Sequence, residues 1–317
     1  MLVAMAAIPS SRRVLTVSFL VDMFDVVSNL VVAVLTGSAV VFSEMAQGLA
    51  DSTGSALLVI GERRSKLPGD SEHPLGYARE AFFWGLLSAV AMLVIGAGLS
   101  AWRGYQQLVN PSPLDTPLLA MAVVGLAVVT NSYAVSLSIR KLAAEYGDLR
   151  HAFRNMDQPL IKSALLRDTV GTTTSVVGIV ALLLYQSFDL LIFDALGALV
   201  AAAMMAAASL VLMTQARALI TGQALPQTLL ARLHTTVLET PGVEAVNRLA
   251  AVYSGASQVL LDADLDLAEN LDTEQIEVLL DLIEARVRDL VPRLERIRVI
   301  LNSPNKPGRA ALIKQRT

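Results

Sequence analysis

Ser43, Glu44, Gln47 and Asp51 recur at steps of three and four residues, so a helix running through them presents all four on one face. Far downstream, Asp168, Thr172 and Ser175 repeat the pattern. Both stripes lie in runs apolar enough to cross a membrane. A carboxylate at mid-membrane depth costs several kcal/mol unless it meets a partner, water or a cation. Two carboxylates on distant segments therefore point to a shared cation site. If the two faces meet, the Gln47 amide oxygen, the Asp51 carboxylate and Asp168 surround the ion. Such hard oxygen donors favour Mg²⁺, Ca²⁺ or Mn²⁺, admit Fe²⁺, and suit Zn²⁺ less well without a nitrogen donor. The competing reading is that the carboxylates make structural hydrogen bonds to neighbouring helices.

Other polar groups bear on this site. Asp22, Asp25 and Asn29 form a third stripe on one face of the first apolar run. They can line an ion path, carry protons or pair with Arg167. Arg167 itself stands beside Asp168, where a guanidinium opposes a cation electrostatically. Adjacent helical residues point about 100° apart, so Arg167 can instead pair with Asp22, Asp25 or Glu44. Asn131 with Ser132 reads as interhelical glue. In the loop after the second run, Asp70 and His73 offer a carboxylate and an imidazole at close spacing, a weaker metal candidate against a solvated loop. Asp262, Asp264 and Asp266 alternate along a strand and read as a solvated sheet face.

Six stretches of about 20 residues are long enough to span a bilayer. They cover Val14–Leu35, Ser38–Gly61, Glu80–Trp102, Pro117–Ile139, Leu160–Tyr185 and Leu190–Met213. The second and fifth are the least apolar, as helices facing a bundle interior should be. Arg12, Arg13, Arg63, Arg64, Lys66, Arg79, Arg140, Lys141, Arg150, Arg154 and Lys162 all fall on one side, whereas the opposite loops hold little beyond Arg103. By the positive-inside rule both termini are cytoplasmic. The N-terminus shows no cleavable signal pattern, and its first apolar run reads as a retained helix. After Gly222 the composition changes to a small αββαβ domain: a helix at Leu229–Leu238, strands at Ala245–Tyr253 and Gln258–Asp266, a helix capped by Asp272 or Thr273 and running to Leu290, and a strand at Arg296–Leu301. The expected organisation is a membrane domain over residues 1–222, a cytoplasmic domain over 223–304 and a disordered basic tail over 305–317.

Composition narrows the function classes. Of the 317 residues, 54% are hydrophobic and 17% charged, and the net charge of −3 is the wrong sign for nucleic-acid binding. No cysteine is present, which removes disulfides and thiolate metal sites. The three histidines, His73, His151 and His234, all lie outside the apolar runs. No nucleophile–base pair or cofactor loop stands out, so an enzyme is not expected and no cofactor is required.

Gly37-Ser38, the string Ser43 to Asp51 (SEMAQGLAD) and the string His73 to Glu80 (HPLGYARE) resemble the cation diffusion facilitator family. They are most similar to its branch with a Glu-x-x-His-x-x-x-Asp second helix and a His-Pro-x-Gly-Tyr loop. Ala164–Thr169 resembles that branch's fifth-helix motif, and Leu271–Glu277 its cytoplasmic domain. The resemblance implies an all-α six-helix transmembrane bundle with a C-terminal α+β ferredoxin-like cytoplasmic domain, assembled as a homodimer. It also implies export of divalent cations, commonly Zn²⁺, by alternating access against protons, with Zn²⁺, Mn²⁺ or Fe²⁺ as cargo. Carried over, the transport site is Gln47, Asp51 and Asp168. This chain departs from the pattern by having Gln47 for the usual histidine, Arg167 for the usual glutamate, Ala164 without a donor and Tyr77 for a loop histidine. The expectation is a proton-coupled divalent-cation efflux transporter of altered selectivity in a membrane, with a bacterial inner membrane favoured. The alternative is a transport-inactive dimerisation partner or regulatory scaffold.

Overall fold

The computed structural model describes residues 26–146, 159–255, 258–269 and 271–302. The chain divides into two compact units, one of Met1–Lys66 with Glu80–Arg217 and one of Leu67–Arg79 with Ala218–Thr317.

The first unit is helical. A short apolar helix α1 (Val26–Thr36) ends at Gly37, whose φ of 70° is left-handed backbone that glycine tolerates without strain. Ser38 then caps α2 (Ala39–Ser65), its side chain accepting from the Val41 N–H. There follow α3 (Glu80–Val109), α4 (Pro117–Tyr146), α5 (Pro159–Phe188) and α6 (Ile192–Ile220). Among the described residues, α3, the Leu165–Phe188 part of α5, and α6 are long and apolar enough to cross a membrane. At about 1.5 Å per residue, even the 24 residues of the α5 segment exceed a hydrocarbon core of about 30 Å. The apolar part of α4, Pro117–Tyr133, is shorter. At 27 residues α2 is long enough, but it carries Glu44, Asp51, Glu62, Arg63 and Arg64.

Two apolar layers hold these helices. One joins Val40 and Val41 of α2, Val124 of α4, and Leu182 and Tyr185 of α5. The other joins Ala89 and Met92 of α3, Val170 of α5, and Met205 and Leu212 of α6. Small residues set the spacing. A Cβ on Gly197 of α6 would lie 2.5 Å from the Ala181 Cβ and 2.8 Å from Val40 Cγ2, a helix approach that membrane bundles reserve for small side chains. The middle of α3 (Met92–Gly98) is wound as a π-helix. Arg103, expected in a loop on the far side, lies instead within α3, where its Nη2 donates to the Gly37 carbonyl at 2.7 Å.

The second unit contains α7 (Gln227–Leu238), β1 (Val243–Gly255), β2 (Gln258–Leu267), α8 (Thr273–Leu290) and β3 (Leu294–Leu301). The αββαβ order expected from the sequence is present. The strands run β1-β2-β3, the first pair antiparallel and the second parallel. A parallel neighbour needs a crossover, and α8 supplies it. Asp272 is the helix cap, in a reciprocal capping box with Gln275. Alternation on β2 buries Val259, Leu261, Ala263 and Leu265, and Leu233 and Val237 of α7 and Leu279, Ile283 and Val287 of α8 are buried as well. Asp262, Asp264 and Asp266 take the other face of β2, as a period of two requires. The loop Leu67–Arg79 belongs to this unit, with Ala78 against Gly255 at the end of β1.

Candidate metal centre

Within the helical unit α2, α4 and α5 enclose a cavity of about 260 Å³. Gln47 and Asp51 reach it from α2, and Asp168 from α5, so the three residues expected to share a cation line one space. Glu44, Asn131 and Arg167 line it as well. The helix periodicity explains why: Glu44, Gln47 and Asp51 occupy successive turns of one face, and Asp168 and Gly171 do the same on α5. Among the described residues no three histidine or carboxylate side chains draw close enough to enclose a metal ion. Glu44, Asp51 and Asp168 therefore face a common space without converging on one point.

The inner end is tied across three helices. Thr174 Oγ1 of α5 donates to Gln47 Oε1 at 2.6 Å. Asn131 Nδ2 of α4 donates to Ser175 Oγ at 2.9 Å, and Ser175 lies 3.0 Å from Glu44 Oε2. This chain of groups joins α4, α5 and α2. Glu44, Gln47, Thr174 and Ser175 are all buried, so their hydrogen bonds are worth more here than they would be in water. Asn131, expected as interhelical glue, does that work and lines the cavity besides.

Toward its other end the cavity carries charge. Arg167 Nε lies 3.8 Å from Asp51 Oδ1, an ion pair too long for a hydrogen bond. The same guanidinium donates from Nη2 to Ser88 Oγ of α3 at 2.7 Å. The sequence offered Asp22, Asp25 and Glu44 as partners for Arg167; among the described residues the ion pair it makes is with Asp51. Asp22 and Asp25 lie outside the described residues. Ser43, placed by spacing on the same stripe as Gln47, instead bonds Ser100 Oγ of α3 at 2.9 Å. Thr172 turns its hydroxyl onto the Asp168 backbone carbonyl at 3.1 Å. With all four groups ionised, the three carboxylates and one guanidinium leave two negative charges in excess. One divalent cation carries the charge that would offset this excess.

Sequence reasoning missed Thr174, which holds the Gln47 amide, and Asp194 at the start of α6. Asp194 is fully buried, accepting from Ser38 Oγ at 2.6 Å, Ala39 N at 2.7 Å and Val40 N at 3.2 Å. It thereby caps the helix that carries Gln47 and Asp51. An aspartate just inside an apolar run was the available signal.

The second candidate, Asp70 with His73, sits in the other unit. Asp70 Oδ1 accepts from the Glu72 and His73 N–H groups at 3.0 and 2.7 Å, and Oδ2 accepts from the Tyr77 hydroxyl at 2.6 Å. His73 Nδ1 is 3.8 Å from Asp70 Oδ1, and its ring lies against Tyr77 with centroids 4.3 Å apart. The Tyr77 hydroxyl first, and the His73 N–H next, hold the Asp70 carboxyl below its usual value. A lowered carboxyl stabilises the loop above its ordinary titration range, and that contribution disappears as pH falls through the lowered value. Tyr77→Phe is expected to move the Asp70 titration back up, followed by carboxylate NMR of the labelled protein; an unmoved titration would remove the hydroxyl as the cause.

A family profile described as the cation efflux transmembrane domain matches residues 15–220. The chain is similar to a mitochondrial proton-coupled zinc antiporter of Xenopus laevis, 26% identical across 80% of this chain and 46% of that protein. It is also similar to a metal tolerance protein of Arabidopsis thaliana, 26% identical across 60% of this chain and 42% of its relative. The cation-efflux pump FieF of Cronobacter sakazakii is 24% identical across 81% of each chain. This chain thus spans less than half the length of the zinc antiporters it matches. A solved MamM CTD structure is 22% identical, covering 24% of this chain and 96% of its own length, with a TM-score of 0.23.

Proposed function

The chain belongs to the cation efflux family, and from that premise we propose that it exports a divalent cation through the cavity between α2 and α5. The observation that carries this reading is the cavity itself: three carboxylates and the Gln47 amide face one space inside an apolar helical unit. Ionisable groups in such a setting mark ion paths. Gln47, Asp51 and Asp168 are the proposed ligands, with Glu44 as a further carboxylate on the same wall. Their oxygen chemistry favours Mn²⁺ or Fe²⁺ more than a histidine-bearing site would, and the relatives' names keep Zn²⁺ among the cargoes.

In this reading the bundle has six spans with both termini in the cytoplasm, and the αββαβ unit is the ferredoxin-like cytoplasmic domain of a homodimer. The membrane would be a bacterial inner membrane. The cation enters from the cytosol, access alternates as the helices rock, and protons arriving on Asp51 or Asp168 from the far side displace it. Asp70 and His73 serve as a secondary, loop-borne site. Membership of a transporter family agrees with the expectation that the chain is not an enzyme.

A second reading has its own support. The Arg167 guanidinium beside Asp51 places a fixed positive charge where the cargo should sit, as expected of a transport-inactive partner. Flux into liposomes carrying the purified protein separates the two. Zn²⁺, Mn²⁺, Fe²⁺, Co²⁺ and Mg²⁺ are offered in turn under a pH gradient. Uptake of any one, with proton movement in the opposite direction, is the expected result. No uptake of any ion by folded, inserted protein would leave the partner role.

A further inference from the structure

We propose that Arg167 is a tethered cation that occupies the Asp51 side of the cavity when cargo is absent and is displaced when cargo binds; this rests on the cation-transport reading above. The guanidinium has a built seat. Ser88 of α3, fully buried, accepts from Arg167 Nη2 at 2.7 Å. Gly54, one turn beyond Asp51 on α2, leaves the room: a Cβ there would lie 2.6 Å from Ser88 Oγ and 3.0 Å from Arg167 Nη1. Three helices thus contribute to placing one positive charge against Asp51.

The two contacts differ in kind. Arg167 is anchored to Ser88 by a short hydrogen bond, whereas its ion pair with Asp51 spans 3.8 Å, beyond hydrogen-bond reach. Letting go of Asp51 therefore breaks no hydrogen bond between the two side chains. An arginine cannot leave by losing its proton at any physiological pH, so the charge has to move physically or be outcompeted. A divalent cation brings twice the charge and direct coordination; a weakly coordinating or tightly hydrated ion brings less advantage over the guanidinium. The arrangement thus makes Arg167 a competitor that lowers the affinity for every cation and admits those able to displace it.

This gives a sign that a merely structural arginine would not. If Arg167 only holds α2, α3 and α5 together, removing it weakens cation binding along with the fold. If it competes, Arg167→Gln strengthens binding. Calorimetric titration of the purified full chain with Zn²⁺ and with Mn²⁺ is expected to show a dissociation constant about tenfold lower in Arg167→Gln than in the wild type. Ser88→Ala, which keeps every charge but loosens the seat, is expected to shift it the same way by a smaller factor. Unchanged or weaker binding in Arg167→Gln, while the wild type binds, would overturn the competition and leave the transport reading intact. If Arg167→Gln does not fold, the direction of the Ser88→Ala shift decides in the same manner. Absence of binding in folded wild type and folded variants alike would sink the cation site itself, and the inference with it.

Discussion

Liposomes carrying Asp168→Ala are expected to show cation uptake at least about a hundredfold below the wild type, because losing even a supporting contact of a metal ligand typically costs 10- to 100-fold. Asp168 lines the cavity with Asp51 and Gln47, so its loss removes a proposed ligand and halves the negative excess that offsets a divalent cargo. Asp51→Ala should be at least as damaging. It removes a second ligand and also strips Arg167 of its charge partner, leaving a cation in the cavity with one carboxylate fewer to offset it. The two variants should remain folded, since neither aspartate is fully buried. Circular dichroism and gel filtration establish that before flux is compared. Wild-type uptake from either variant would mean that the cavity carboxylates are structural and that cargo travels elsewhere.

Asp194→Ala is expected to damage stability more than any substitution in the cavity. The carboxylate receives two backbone N–H groups at the start of α2 and the Ser38 hydroxyl, with no exposure to solvent. Truncation leaves three buried donors without it, and buried donors left unmade cost about 1–3 kcal/mol each. The helix macrodipole adds to the loss, since an anion at an N-terminus is favourable. A destabilisation of about 3 kcal/mol or more should lower the melting temperature of the detergent-solubilised protein by roughly 10 °C. Asp194→Asn retains an acceptor and should fall between. Because α2 carries Gln47 and Asp51, flux should decline with stability, and a stable Asp194→Ala protein would show that Ser38 and the α2 terminus find other acceptors.

The helical face Glu44, Gln47 and Asp51 was legible because three- and four-residue steps on a helix leave little choice of direction. So were the elements after Gly222, where turn residues, alternation on β2 and the Asp272 cap mark each boundary. Ser43 shows where that logic fails. It shares the spacing of the stripe yet faces Ser100 on α3, because a helix face is broad enough to touch two neighbours, and packing decides which residue meets which.

Arg167 and Asp194 mark the same limit with larger consequences. Spacing says that Arg167 points away from Asp168; it does not say toward what. Among the described residues its charge partner is Asp51, because the contact depends on how α2, α3 and α5 approach, with Gly54 opening the room and Ser88 receiving the guanidinium. Asp194 meets α2 across more than 150 residues of chain, a distance over which local pattern carries no information. Residue types and their periodicity were enough for the chemistry available to this protein: oxygen donors and charge on helices buried in apolar surroundings. Which charges neutralise one another came from helix packing, since side chains a few ångström apart in space interact strongly whatever their separation along the chain.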